Sequence, residues 1–237
     1  MRAFAQSDIG MVRKTNEDSY VFLPPRLFVV ADGMGGHVAG EIASNLGANT
    51  IREYIEKIPI PAEWDQSLEE AIVQANTSIY QMSQDKSECQ GMGTTVTAVY
   101  IDNAQIYWSH VGDSRLYLIR ENKLHQITND HSLVWELMQN GSITSEEAQV
   151  HPHRNILTRA VGTSETLCVD SGKFLWQPGD NLLLCTDGLT NMLSEEAILN
   201  ICIQPISPQT ISNTLVDQAR QAGGYDNITA IFLQNRN

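Results

Sequence analysis

The chain has 237 residues, which one domain with a single substantial core accommodates, so we predict one domain over 1–237. It carries 28 acidic against 15 basic residues, a formal net charge of −13 at pH 7. Such a charge repels a phosphodiester backbone, so nucleic acid is not an expected partner. The longest apolar runs are of strand length, far short of the roughly 20 residues that a membrane span needs. We therefore expect neither a transmembrane segment nor a membrane partner.

The N-terminal residues 1–8 lack the apolar core and the small-residue cleavage site of a secretory signal, so we expect a cytoplasmic protein with reduced thiols. The cysteines show no C-x-x-C or Cys/His pairing, which argues against zinc and disulfides and leaves them as small buried apolar residues. They are Cys89, Cys168, Cys185 and Cys202. Because no coiled-coil heptad appears, we expect a monomer.

The apolar pattern predicts a sheet-dominated frame with three long helices. Runs rich in Val, Ile, Phe and Tyr, mostly bounded by Gly, Asp, Asn or Pro, predict strands. They lie at 19–23, 27–31, 94–101, 104–111, 115–120, 167–175, 181–186 and 228–234. Apolar residues at helical spacing predict amphipathic helices at 39–58, 66–83 and 208–222. Gly223-Gly224 ends the third in the manner of a C-cap.

Two stretches indicate how these elements are arranged. The series 94–126 contains two apolar runs joined across Asp102-Asn103, which favours antiparallel pairing with helices on the outer faces. The stretch from Asp130 to Gly162 holds short helical pieces, a capping box at Thr144 and the polar cluster 151–154. We interpret this stretch as an insertion over a surface.

Four aspartates stand at strand ends. Asp32 and Asp187 end apolar runs, Asp113 follows one, and Asp226 begins one. Since neighbouring antiparallel strands start and end at the same edge, these carboxylates can converge on one rim, where they need a cation. Carboxylate and carbonyl oxygens favour Mg²⁺ or Mn²⁺ over zinc. One Asp-Gly pair alone is more often an ordinary turn, and only the set of four favours a metal site.

Six motifs appear in a fixed order between residues 13 and 229. They are Arg13-Lys14-Thr15-Asn16-Glu17-Asp18, Val30-Ala31-Asp32-Gly33-Met34-Gly35-Gly36-His37, Gly93-Thr94-Thr95, His110-Val111-Gly112-Asp113-Ser114-Arg115, Cys185-Thr186-Asp187-Gly188-Leu189 and Asp226-Asn227-Ile228-Thr229. In this order they resemble a bacterial-type type 2C protein phosphatase, a metal-dependent serine/threonine phosphatase of the PPM family. The resemblance covers nearly the whole chain.

The resemblance implies an α+β fold, a four-layer αββα sandwich of two antiparallel sheets flanked by helices. The metals would lie in a cleft at one end of the sheets. The insertion at about 130–162 would then be the flap subdomain that the family carries beside this cleft, where substrates are selected.

The resemblance also implies a ligand set. Asp32 would bridge two metals, the Gly33 carbonyl would help hold the second, and Asp187 and Asp226 would complete the first. Glu17 and Asp18 would act close by or through water. A third, weaker ion would use Asp113 and Asp187.

Two metal ions would lower the pKa of a bridging water and neutralise the phosphoryl oxygens, so that phosphoserine or phosphothreonine of another protein is hydrolysed without a phosphoenzyme. Arg13 would bind the phosphate with its planar fork, unless it is only a surface arginine. The general acid stays open, because eukaryotic members place a His where this chain has Met34. His37 would protonate the leaving group, orient the substrate or cap the following helix, and a metal-bound water is the alternative acid.

Two other functions compete with this interpretation. A catalytically silent module on the same fold would bind phosphoproteins without hydrolysing them, and the complete acidic set argues against it. A Ca²⁺-binding protein of the helix–loop–helix kind would show a twelve-residue ligand loop, and the sequence has none. The physiological substrate and the partner kinase are not encoded in any motif.

Overall fold

The computed structural model describes residues 1–35, 39–59 and 63–235. Within them the chain forms eleven strands and seven α-helices. The strands are β1 Arg2–Asp8, β2 Asp18–Leu23, β3 Leu27–Met34, β4 Gly93–Thr94, β5 Val96–Asp102, β6 Gln105–Val111, β7 Arg115–Arg120, β8 Lys123–Gln126, β9 Asp170–Leu175, β10 Asn181–Cys185 and β11 Ile228–Gln234. The helices are α1 Ala39–Glu56, α2 Trp64–Asp85, α3 Leu133–Gln139, α4 Ser145–Gln149, α5 Asp187–Thr190, α6 Glu195–Cys202 and α7 Pro208–Gln221.

The strands form two sheets. The first has the order β1-β11-β10-β7-β8, and the second has the order β2-β3-β5-β6-β9, with β4 also paired to β3. In both sheets, all neighbouring strands pair in antiparallel fashion. Helices α1 and α2 cover the outer face of the second sheet, and α6 and α7 cover that of the first. The predicted α+β sandwich of two antiparallel sheets between helices is confirmed.

The core has three layers, and this explains the unbroken apolar runs. In β3, Val29 and Ala31 face the helices, while Phe28 and Val30 face the other sheet. Because side chains alternate along a strand and both faces of β3 are covered, each position must be apolar. These four residues are fully buried.

Some elements differ from the sequence predictions. Strands β1 and β8 and helix α6 were not predicted, α2 begins at Trp64 rather than at 66, and β9 begins at Asp170 rather than at 167. Strand β1 pairs along its whole length with β11. Its sequence, RAFAQSD, carries a single large apolar residue. Pairing with the backbone of β11 therefore stabilises this strand. Its own amino-acid composition does not predict it.

The stretch from Asp130 to Gly162 contains α3 and α4, with the predicted capping box present at Thr144 and Glu147. Two isolated antiparallel bridges tie its base, one between Ser132 and Leu157 and one between Thr94 and Val161. The insertion thus leaves and re-enters the sandwich at neighbouring points. Its role as a flap that selects substrates stays a prediction.

All four cysteines are free, but they are not all buried. Cys89, Cys185 and Cys202 lie in the core as predicted, whereas Cys168 is exposed. The expectation for Cys168 was wrong because this residue lies in the connection before β9 rather than inside a strand. No helix in the described residues is long and apolar enough to cross a membrane.

Candidate functional site

Three of the strand-end aspartates meet at one edge of the first sheet. Strand β10 runs antiparallel to both β7 and β11. Asp187 stands two residues after the end of β10. Asp113 stands two residues before the start of β7, and Asp226 stands two residues before the start of β11. An antiparallel partner begins where its neighbour ends, so the three residues share one edge.

Asp32 reaches the same place from the second sheet. It lies inside β3, opposite Asp18 in β2. The Asp18 carboxylate joins the two sheets, because its Oδ2 accepts hydrogen bonds from Oγ1 of Thr186 at 2.8 Å and Oγ1 of Thr229 at 2.6 Å. We call Asp18, Asp32, Asp113, Asp187 and Asp226 the acidic cluster.

Four members of the acidic cluster, Asp18, Asp32, Asp113 and Asp187, have a raised pKa. Burial, followed by repulsion from Asp18, Asp187, Asp113 and Asp226, holds the pKa of Asp32 well above its usual range. Burial and repulsion from Asp187 likewise hold the pKa of Asp113 well above its usual range. The pKa of Asp18 is raised to about 7, chiefly by burial. Anions packed this closely favour a cation among them.

Two oxygens of the acidic cluster have no partner. Among the described residues, Oδ1 of Asp18 and Oδ1 of Asp187 are buried and accept no hydrogen bond. The second oxygen of Asp187 accepts one from Nδ2 of Asn191 at 3.0 Å. Leaving a buried carboxylate oxygen unpaired is costly, and a hard cation would remove that cost. The donor set therefore fits Mg²⁺ or Mn²⁺.

The side chains alone do not form a complete coordination shell. Within 1–35, 39–59 and 63–235, no group of three or more His, Cys, Asp or Glu side chains is arranged to hold one metal ion. Mg²⁺ in proteins is typically bound by one or two carboxylates and keeps several waters. Carbonyl and water ligands would have to complete each shell here.

Gly33 and Glu17 lie against the first turn of α1. The Gly33 amide donates to the Glu17 carbonyl at 3.0 Å. A Cβ at Gly33 would strike the Gly40 carbonyl, and one at Gly40 would strike the Glu17 carboxylate. The close approach therefore requires glycine at both positions. Burial raises the pKa of Glu17.

Two threonines hold Asp32 from behind. The Asp32 amide donates to Oγ1 of Thr95 at 2.9 Å, and the Asp32 carbonyl accepts from the Thr95 amide at 2.8 Å and from Oγ1 of Thr94 at 2.9 Å. Through these contacts the pair Thr94-Thr95 has a structural role. With its backbone held on both sides, Asp32 has little freedom to withdraw its carboxylate.

Asn227 is a positioning residue that the sequence analysis missed. Its Oδ1 accepts from the Glu17 amide at 2.8 Å, and its Nδ2 donates to the carbonyls of Ile9 and Thr15, both at 2.9 Å. It thus ties the segment 9–17 to the start of β11. Its place directly after Asp226, in the motif Asp226-Asn227-Ile228-Thr229, was the sequence feature that could have identified it.

Arg13 lies at the rim of the acidic cluster. Its Nη2 donates to Oδ2 of Asp226 at 2.7 Å, and this hydrogen bond raises the pKa of the guanidinium. The Arg13 side chain is 49% exposed, so much of the fork faces solvent. The predicted phosphate-binding residue and a predicted metal ligand are thus in direct contact.

His131 was also missed, and it supports the turn before Asp113. Its Nδ1 accepts from the Gly112 amide at 3.1 Å, and its own amide donates to the Gly112 carbonyl at 2.7 Å. Gly112 has φ +112°, and a Cβ there would lie 2.6 Å from the Thr95 side chain. Sequence reasoning had no local signal for His131, because it belongs to the base of the insertion. His37 lies outside the described residues.

The chain is similar to known proteins over most of its length. The family model described as "Protein phosphatase 2C" matches residues 15–219. The chain is 41% identical over 236 residues to protein phosphatase PhpP of Streptococcus pneumoniae, covering 96% of this chain and 94% of the relative.

Two solved structures are similar throughout. The Mycobacterium tuberculosis serine/threonine phosphatase PstP/Ppp has a TM-score of 0.93 at 35% identity, covering 100% of this chain and 99% of the other. The catalytic domain of PstP in complex with 2 manganese ions has a TM-score of 0.89 at 35% identity, covering 98% and 96%. The chain therefore belongs to the protein phosphatase 2C family of metal-dependent serine/threonine protein phosphatases.

Proposed function

We propose that the acidic cluster of this chain hydrolyses phosphoserine and phosphothreonine on other proteins. The observation that carries the proposal is the convergence of five buried or half-buried carboxylates, four of them with a raised pKa and two with an unpaired buried oxygen. Hydrogen-bonded or ion-paired carboxylates would suffice for a fold, whereas a set that raises its own pKa values costs stability and is typical of a functional site.

We assign the metal ligands as the resemblance implies. Asp32 would contact both ions, the Gly33 carbonyl would serve the second, and Asp187 and Asp226 would serve the first. Bound Mg²⁺ or Mn²⁺ supplies Lewis-acid polarisation of the phosphoryl group and lowers the pKa of water. Asp18 and Glu17 would act through water, since the Asp18 carboxylate is already engaged by two threonine hydroxyls.

We also propose a site for a third metal ion. Asp113 and Asp187 would hold it, and the influence of the Asp187 charge on the pKa of Asp113 supports their proximity. His131 would keep the Asp113 turn in place through its two hydrogen bonds to Gly112.

Arg13 would bind and orient the phosphate. Its pairing with Asp226 holds the guanidinium at the rim, and the exposed part of the fork can donate two parallel hydrogen bonds to phosphate oxygens. Because the side chain is ordered before substrate arrives, less conformational entropy is lost on binding.

Three further points remain predictions. His37 is the candidate general acid, with a metal-bound water as the alternative. The chain is expected to act as a monomer in the cytoplasm. Its expected partner is a phosphorylated protein, without nucleic acid or membrane, as the net charge of −13 and the strand-length apolar runs of the sequence predict.

The test is a metal-dependent assay on the purified protein. Hydrolysis of p-nitrophenyl phosphate and of a phosphothreonine peptide is measured with EDTA, Mg²⁺, Mn²⁺ or Ca²⁺. We expect turnover with Mn²⁺ or Mg²⁺ that EDTA abolishes. Phosphopeptide binding without hydrolysis under every ion would instead establish the silent binding module.

A further inference from the structure

Exposed apolar side chains gather beside Arg13. Of the twelve large apolar side chains that the described residues expose, four belong to two adjoining loops. They are Ile9 (38% exposed), Met11 (63%), Val12 (61%) and Tyr225 (64%). Single exposed apolar residues are ordinary, but a contiguous group marks an interaction site. We call these four residues the apolar rim.

The backbone that carries the apolar rim is fastened to the rest of the molecule. The Met11 amide donates to the Gly224 carbonyl at 2.8 Å, and the Ile9 carbonyl accepts from Nδ2 of Asn227 at 2.9 Å. The Gly10 amide donates to Oδ1 of Asp8 at 2.8 Å, and a Cβ at Gly10 would strike the Asp226 carbonyl. Hydrogen bonds thus hold in place the two loops that carry the apolar rim, which keeps the entropic cost of binding low.

The side chains of Met11 and Tyr225 cover two bare glycines. Gly223 and Gly224 have positive φ, and a Cβ on them would lie 2.9 Å from the Tyr225 ring and 2.9 Å from Cγ of Met11. Glycine is therefore required beneath both side chains. The two loops therefore adjoin, with Met11 and Tyr225 lying over consecutive glycines of one connection.

The position of the apolar rim indicates its occupant. Val12 precedes Arg13, and Tyr225 precedes Asp226, the two residues joined by the 2.7 Å ion pair. A phosphoresidue bound at Arg13 would have its chain neighbours only about 3.5 Å per residue away. The rim side chains carry no charge, so apolar neighbours would gain most from contact with them.

We propose that the apolar rim binds apolar side chains that flank the phosphorylated Ser or Thr of a protein substrate. This inference rests on the proposed phosphatase function and adds the substrate's sequence preference. It predicts that the enzyme distinguishes peptides by the apolar character of the residues near the phosphate.

The test compares three substrates with Mn²⁺ present. They are p-nitrophenyl phosphate, a phosphothreonine peptide with Leu at the neighbouring positions, and the same peptide with Ser there. The wild type should favour the Leu peptide in kcat/KM by about tenfold, the value of one buried apolar side chain. The double variant Met11→Ser/Val12→Ser and the variant Tyr225→Ser should bring that ratio close to one, with p-nitrophenyl phosphate turnover within about twofold of wild type.

Matched variants separate docking from disturbance of the loop. Met11→Leu and Tyr225→Phe keep the apolar surface and should keep the preference. Leu175 is 62% exposed in β9, and the variant Leu175→Ser should leave the ratio of the two peptide rates unchanged.

An equal rate for both peptides in the wild type, or an unchanged ratio in the Ser variants, would overturn the inference. A parallel loss on p-nitrophenyl phosphate would also count against it, because it would mean that Arg13 had moved. Absence of all hydrolysis by the wild type would instead be a failure of the proposed function.

Discussion

The two ends of strand β10 hold aspartates in opposite situations. Before the strand, Asp180 is 2% exposed and accepts from Nε and Nη2 of Arg120 at 2.9 and 2.6 Å and from the Gln177 amide at 2.8 Å. After the strand, Asp187 has one buried oxygen without a partner among the described residues. Burial and the Asp226 charge raise its pKa.

The contrast separates structural from functional carboxylates. Asp180 is neutralised by Arg120, so the cost of burying its charge is offset within the fold, and removing either partner would be destabilising. Asp187 is surrounded by like charges, so its ionised form costs stability until a cation binds. A buried carboxylate alone therefore says little, and the sign of its neighbours' charges decides what it does.

The largest expected effect is on turnover. Asp32→Asn and Asp187→Asn should each lower kcat/KM for a phosphopeptide about 10³-fold or more, because each removes a charge that would hold a metal ion under the proposed assignment. Both variants should stay folded and unfold in EDTA at an equal or higher urea concentration than wild type. Asp85→Asn, at the exposed end of α2, is the control. Full activity in either variant would contradict the metal assignment.

The opposite end of β10 should respond in stability rather than in turnover. Asp180→Asn leaves Arg120 without its counter-charge and should lower the free energy of unfolding by about 2 kcal/mol, discounted because Arg120 is 30% exposed. Urea unfolding measures this loss. The kcat/KM of the folded variant should stay at the wild-type value. A variant as stable as wild type would show that the ion pair is not needed.

The acidic cluster should also impose a pH dependence on the metal-free protein. The pKa of Asp18 is about 7 in the fold against an ordinary 3.8, so the folded state holds this proton more tightly than the unfolded state. Its contribution to stability is complete below about pH 4 and is lost as the pH rises to about 7. One carboxyl gives at most about 1.4 kcal/mol per pH unit.

Urea unfolding in EDTA at several pH values measures this loss. The slope should be smaller in Asp18→Asn, and saturating Mn²⁺ should reduce it in the wild type. Identical slopes for the two proteins without metal would rule out Asp18 as the source.

The smallest effect concerns Arg13. Arg13→Ala should raise KM for a phosphopeptide about tenfold, equivalent to about 1.4 kcal/mol, and lower kcat by less than that. Steady-state kinetics measure both constants, with Lys14→Ala as the neighbouring control. An unchanged KM would remove Arg13 from phosphate binding.

Much of the frame was predictable because its signals are local. The apolar runs of β3, β10 and β11 predict buried strands, and aspartates at their ends predict a common edge once antiparallel pairing is assumed. The capping box at Thr144 depends on residues three apart. The exposed Cys168 shows the limit of such reasoning, since residue type alone does not reveal whether a position lies in the core or in a surface connection.

By itself, then, the sequence determined most of the strands, the main helices and the identity of the acidic residues, because periodicity and strand ends depend on a few neighbouring positions. Tertiary structure decided which groups hold those residues in place. The Asp18 carboxylate meets Thr186 and Thr229 across separations of 168 and 211 residues, and the Glu17 amide meets Asn227 across 210. Contacts between residues so far apart leave no local pattern, because the packing of the two sheets alone brings them together.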